Sequence, residues 1–141
     1  MINFRVKLLN EDTKPPQKAT VGAGAYDIFM PAKGQALPER VTSVHLGFAA
    51  AVPENYVALL IPRSSAGSRG AVLANTVGVI DSDYRGEWIA KFRPQEVMQW
   101  EKDTAVLQIL IVPAANFDVE LVEELEETSR KGGFGSTGNT L

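Results

Sequence analysis

No stretch of this chain carries a long apolar stripe at helical spacing, and its apolar residues fall instead into short segments closed off by Gly, Pro, Asn or Asp. Phe4 to Leu9, Val41 to Phe48, Tyr56 to Ile61, Val77 to Ile80, Trp88 to Phe92, Ala105 to Val112 and Phe117 to Val122 each show alternation or a compact apolar run. Those patterns suit strands with one or both faces buried. Eight prolines and twelve glycines lie among the 141 residues, which favours turns over helices. The expectation is an all-β sandwich or barrel. One short helix is expected around Ser65 to Arg69, after Pro62 and capped by Ser64.

A chain of this length with 45% hydrophobic residues builds one domain with a real core. Without cysteine it forms no disulfide and no thiolate metal site, which fits a reducing compartment. The N-terminus carries no secretory pattern, and no apolar run approaches the roughly 20 residues that span a bilayer. A soluble, cytoplasmic protein with no membrane contact is expected. A net charge of −3 and a pI near 5.2 argue against a general nucleic-acid binder. A phosphate ligand would need gathered cations, and Arg63, Arg69, Arg85, Arg130 and Lys131 all lie in or beside glycine-containing segments. A divalent cation could supply the remaining neutralisation.

Chemistry concentrates in a few places. Asn75 to Glu87 reads as a β-hairpin, with Val77–Ile80 leading in, Trp88–Phe92 leading out, and Asp81 and Tyr84 at the turn. Stiff backbone on both sides could hold a flat ligand by its own N–H and C=O groups. Asp81 either caps the turn or serves as a carboxylate base for water. His45 lies in an apolar strand pattern and reads as a core or surface residue rather than a base. Pro62-Arg63-Ser64-Ser65-Ala66-Gly67 follows a strand, so its free amides and Arg63 either hold an anion or form a plain capped turn. Asp27 follows Gly22-Ala23-Gly24-Ala25-Tyr26 and either holds a metal-bound water or caps a turn.

Toward the C-terminus, Leu121 and Leu125 would permit a helix through Glu120, Glu123, Glu124, Glu126 and Glu127. The alternation of Phe117, Val119 and Leu121 favours a strand running into a solvated acidic turn with no chemistry. Residues 129–141 form a glycine-rich tail distinct from a body of residues 1–128. Such a tail is mobile unless a ligand orders it, and its cations, hydroxyls and single Phe134 are what an anion with a flat ring requires. Gly133 to Thr140 looks like a P-loop only superficially: Asn139 replaces the lysine, and no helix can follow.

Taken in order, these segments resemble the five motifs of the trimeric all-β dUTP pyrophosphatases, the dUTPases. The motifs are Ala25-Tyr26-Asp27-Ile28, Pro62 to Gly67, Asn75 to Glu87, the segment containing Gln108, and Gly132 to Gly138. The resemblance implies a distorted jelly-roll subunit forming a homotrimer, and hydrolysis of dUTP to dUMP and pyrophosphate with Mg²⁺ across the triphosphate. Asp81 would activate water for attack on the α-phosphorus. Arg63, Ser64, Ser65 and Gly67 would hold the phosphates with Gln108, and Asp27 would reach the metal through water. The main chain at Val79, Ile80 and Ile89, with Asn75, would read uracil, and Tyr84 would lie against the deoxyribose. Phe134 would stack on the base, while Arg130 or Lys131, Ser136 and Thr137 would meet the phosphates. One subunit would supply the first, second and fourth motifs, another the hairpin, and the third the tail.

Three positions depart from the family pattern. Ala105 stands where the fourth motif usually has Arg, the fifth motif is one residue short, and Ala25 replaces a usual Gly. Two rivals share the fold. A dCTP deaminase would need a catalytic Glu where Lys91 stands, and a non-catalytic triphosphate sensor would not need Asp81.

Overall fold

The computed structural model describes residues 1–135. Ten strands and one short helix run in the order β1 (Arg5–Leu8), β2 (Gln17–Lys18), β3 (Tyr26–Phe29), β4 (Gly34–Ala36), β5 (Thr42–Ala51), β6 (Tyr56–Pro62), α1 (Ser64–Ser68), β7 (Gly78–Ile80), β8 (Glu87–Phe92), β9 (Met98–Trp100) and β10 (Ala105–Pro113) among the described residues. They form three antiparallel sheets with orders β1-β5-β8, β2-β3-β10-β6-β7 and β4-β9. This is the all-β architecture that the short apolar segments predict. No helix among the described residues is long and apolar enough to cross a membrane.

Alternation decides which side chains point inward. In β8, Trp88, Ala90 and Phe92 are buried while Ile89 and Lys91 face out. Phe48 from β5 and Ile28, Leu60, Leu107 and Ile109 from the five-stranded sheet join them in one buried cluster. Trp88 sits at its centre, 5.1 Å from the Phe48 ring and 5.7 Å from the Phe4 ring. Burying each such large side chain contributes roughly 1.5–3 kcal/mol before the entropy of ordering is charged.

The structure corrects the sequence reading in three places. Val77–Ile80 and Trp88–Phe92 do contain strands, but β7 pairs with β6 in one sheet and β8 pairs with β5 in the other. The expected hairpin is therefore a crossing between two sheets. Ser64 does not cap α1: Arg63 occupies that position, with no side-chain cap, and Ser64 is the first helical residue. Phe117 to Val122 is not a strand. Among the described residues beyond Pro113 there is no helix or strand, and Phe117, Val119 and Leu121 stand exposed. Their alternation meets no sheet edge among the described residues.

Candidate active site

The crossing between sheets creates the site. β7 is the last strand of one sheet and β8 the last strand of the other. The hollow between them is lined by Gly78, Val79, Ile80 and Asp81 on one side and Trp88, Ile89 and Lys91 on the other, with Asn75 and Tyr84 at its margins. It encloses about 310 Å³ and adjoins a second hollow of about 430 Å³ that shares Leu60, Asn75, Gly78, Ile89 and Lys91. Edge strands carry unpaired N–H and C=O groups. Two edges facing a gap can therefore read a flat ring along its rim, whereas a paired hairpin would have spent those groups on each other.

Local chemistry shapes this gap. A Cβ at Gly78 would approach the Leu60 Cβ to 3.1 Å, so the glycine lets β7 lie flush on β6. Thr76 adopts φ +66°, a left-handed conformation that costs a β-branched residue about 1–3 kcal/mol. Two bonds hold it there, from Thr76 N–H to the Leu73 carbonyl at 2.9 Å and from Val77 N–H to the Asn75 carbonyl at 2.7 Å. This tight turn presents Asn75 to the hollow. Across the gap, Ala74 N–H donates to the Lys91 carbonyl and Arg93 N–H to the Val72 carbonyl, covering only the far end of β8.

Asp81 leaves β7 exposed, and its carbonyl accepts the Tyr84 N–H at 3.2 Å, closing the turn. No hydrogen bond or ion pair engages its carboxylate among the described residues. The turn-cap alternative for its side chain thus gains no support. The Tyr84 hydroxyl donates to the Glu87 carbonyl at 2.7 Å, and Arg85 donates to the Ser82 and Tyr84 carbonyls.

A second cluster forms elsewhere on the five-stranded sheet. Gln108 pairs in register with Asp27 on β3 and with Ile61 on β6, so β10 brings three of the motifs side by side. Arg63 Nε lies 3.0 Å from Asp27 Oδ1, and its Nη1 donates to the Ala105 carbonyl at 3.2 Å. Gln108 Nε2 donates to the Pro62 carbonyl at 3.3 Å. Ser64, Ser65 and Gly67 are exposed on α1 beside this group. At the position where the family pattern has Arg, Ala105 offers its carbonyl to Arg63.

The two clusters are separated. Ala58 faces Ile80 and Leu60 faces Gly78, so Asp81 lies beyond Ala58 while Arg63 lies past the opposite end of β6. Six residues of extended chain span about 20 Å. Within this chain, then, Asp81 stands far from Arg63 of the second cluster.

The tail reaches neither cluster as far as Gly135. Arg130 folds back on itself, its Nε donating to the Gly132 carbonyl at 2.7 Å, and Lys131 and Phe134 are exposed. Phe134 (φ +53°) and Gly135 (φ +88°) both have left-handed backbone. Ser136 and Thr137 lie outside the described residues. Sequence reasoning missed Gly86 and Glu87 as supports of Tyr84, because neither carries a chemistry-bearing pattern of its own. A Cβ at Gly86 would sit 2.6 Å from the Tyr84 hydroxyl oxygen, so the ring lies directly on the turn.

A gap between two strand edges, with an unengaged carboxylate at its margin and Arg63 in a separate cluster, marks a candidate ligand site on an all-β class of protein. Comparison with known proteins agrees and narrows it. The dUTPase family model matches residues 11–138. The deoxyuridine 5'-triphosphate nucleotidohydrolase of Clostridium tetani is 37% identical, covering 96% of each chain. That of a Hydrogenobaculum species is 39% identical over 94% of this chain and 96% of its own. Among solved structures, the dUTPase of Staphylococcus bacteriophage 80alpha with dUPNHPP superposes with a TM-score of 0.87 at 25% identity, covering 98% of this chain and 99% of that one. The chain belongs to the dUTPase family, whose activity is that of a dUTP diphosphatase.

Proposed function

We propose that this chain hydrolyses dUTP to dUMP and pyrophosphate, with uracil inserted between β7 and β8 and water activated by Asp81. The observation that carries the reading is the pair of open strand edges with an unengaged carboxylate beside them. Uracil presents acceptor, donor and acceptor along one rim. Main-chain groups of Val79, Ile80 and Ile89, with Asn75, supply the complementary pattern, and cytosine would leave buried groups unpaired. Thymine pairs as uracil does and is rejected by shape, which requires stiff walls. Strand pairing of β7 to β6 and of β8 to β5, with the tight turn at Thr76, supplies that stiffness. Lys91 lines the hollow where a dCTP deaminase needs a carboxylate, and an ammonium group cannot act as that base.

Arg63, Ser64, Ser65, Gly67 and Gln108 hold the triphosphate in this reading, and Tyr84 lies against the sugar. Phe134 stacks on the base, and Arg130, Lys131, Ser136 and Thr137 meet the phosphates. Separation of Asp81 from Arg63 by about 20 Å along β6 supports assembly of each site from more than one subunit, as a homotrimer would allow. The exposed face of Phe117, Val119 and Leu121 supports the same arrangement.

Magnesium fits the residues present. Asp27 commits one carboxylate oxygen to Arg63 and keeps the other for a water of the ion's shell. No group of three or more His, Cys, Asp or Glu gathers among the described residues, which suits an ion carried mainly by the triphosphate. When bound, the ion would neutralise charge developing on the leaving pyrophosphate. Asp81 holds and deprotonates the water, and Arg63 orients the chain of phosphates for in-line displacement.

Hydrolysis in heavy-oxygen water tests the point of attack. Label is expected in dUMP and absent from pyrophosphate. Label in pyrophosphate would overturn the assignment of attack to the α-phosphorus.

A further inference from the structure

β5 breaks its ladder with β8 between His45 and Ala49, and Gly47 carries the irregularity at φ +80°. Such a bulge strands backbone donors that the ladder would have used. Glu87 answers this. Its Oε2 accepts the Gly47 N–H at 3.0 Å, and its Oε1 lies 2.9 Å from His45 Nδ1. Both carboxylate oxygens are thus spent on the neighbouring strand, and the first residue of β8 is clamped to β5.

The same residue's backbone carbonyl accepts the Tyr84 hydroxyl at 2.7 Å. Tyr84 is itself 42% exposed, so packing alone does not fix its ring. The ring lies on Gly86, where any Cβ would displace the hydroxyl. A continuous chain of contacts therefore runs from the β5 bulge through Glu87 to the tyrosine that faces the sugar.

We infer that Glu87 is a positioning residue: by anchoring to Gly47 and His45 it fixes Tyr84, and so sets how strongly the site rejects a ribonucleotide. This rests on the reading of the site as one for dUTP. A carboxyl group bonded through both oxygens makes a stiffer tether than solvent would. A tyrosine released from it no longer stands where a ribose 2′-hydroxyl would collide.

The test compares kcat and KM for dUTP and UTP in the full-length chain. Hydrogen bonds to a charged group are worth about 1.5–3 kcal/mol, so Glu87→Ala should lower the dUTP-to-UTP ratio of kcat/KM by about tenfold or more. The KM for dUTP should rise while its kcat stays within about threefold, since the site's carboxylate base is untouched. Glu87→Gln should restore the ratio, because its carboxamide oxygen still accepts from Gly47 and its N–H donates to the His45 tautomer that carries its proton on Nε2. In a Tyr84→Phe background, Glu87→Ala should change the ratio no further. His45→Ala removes one tether from an exposed residue and should move the ratio the same way by less, which keeps the test open if Glu87→Ala does not fold. An unchanged ratio in Glu87→Ala, or in His45→Ala where the former does not fold, overturns the inference. An equal loss with and without the tyrosine hydroxyl overturns it as well. Failure of the parent reading looks different: the wild-type chain would then show no preference for dUTP over UTP to lose.

Discussion

Asp81→Asn is expected to lower turnover of dUTP by about 10²–10⁴-fold while leaving nucleotide affinity within a few-fold of the parent, the range a positioned general base contributes. The side chains are nearly isosteric, but a carboxamide cannot take a proton from water. Because no hydrogen bond or ion pair holds the Asp81 carboxylate among the described residues, the exchange removes none of the contacts they make. Its surroundings are exposed, so no cavity opens and the thermal midpoint should move little. Single-turnover rates with dUTP, and calorimetric titration with a non-hydrolysable analogue, separate the two effects. Retained turnover would remove Asp81 from the chemistry. Lost binding with lost turnover would instead make it a ligand-holding group.

The second large effect concerns the tail. Removing residues 129–141 is expected to leave a folded protein of the same oligomeric state that has lost at least about 100-fold in kcat/KM for dUTP. Among the described residues of this segment, Lys131 and Phe134 are exposed and Arg130 bonds within the tail and to Thr128, none of them joining the core. Stacking of one base on an aromatic ring is worth roughly 1–3 kcal/mol, and the tail's cations add to that. Closing the site also excludes water, which strengthens every charge interaction inside it. Phe134→Ala separates the stacking term from the rest and should recover part of the loss. A truncated chain that keeps the full rate would discard the stacking role of Phe134 and the closing role of the tail together.

Much of the fold was legible because period-two alternation reports burial directly. It placed β5, β6, β8 and β10 within a residue or a few of their observed ends. What alternation does not report is which strand lies alongside. The pattern around Asp81 is the same whether β7 and β8 pair with each other or with separate neighbours, so the sheet crossing stayed hidden. β2, β4 and β9 are only two or three residues long and too short to show a period. Phe117 to Val122 has the pattern of a strand without a partner edge, and only packing supplies edges.

The site divides along similar lines. Asp27, Arg63 and Asp81 stood out as candidates by residue type and neighbours, and Gln108 only through the family resemblance. The ion pair between Asp27 and Arg63 was not visible, since β10 brings the two strands together only in the fold. Ser64 looked like a helix cap by residue type, yet the helix begins at Ser64 itself, with Arg63 held in place by its N–H bond to the Val106 carbonyl. Glu87 stood in the sequence only as the last residue of the Asn75 to Glu87 segment. Its role comes from the bulge at Gly47, which no local pattern announces.

The central claim is that the gap between β7 and β8 selects uracil on a deoxyribose. The direct measurement is pyrophosphate release by the full-length chain with Mg²⁺ from dUTP, dTTP, dCTP and UTP under identical conditions. Release from dUTP should exceed the other three by about 10²-fold or more, because each competitor meets an unpaired buried group or a steric wall. Equal release from all four would contradict the account.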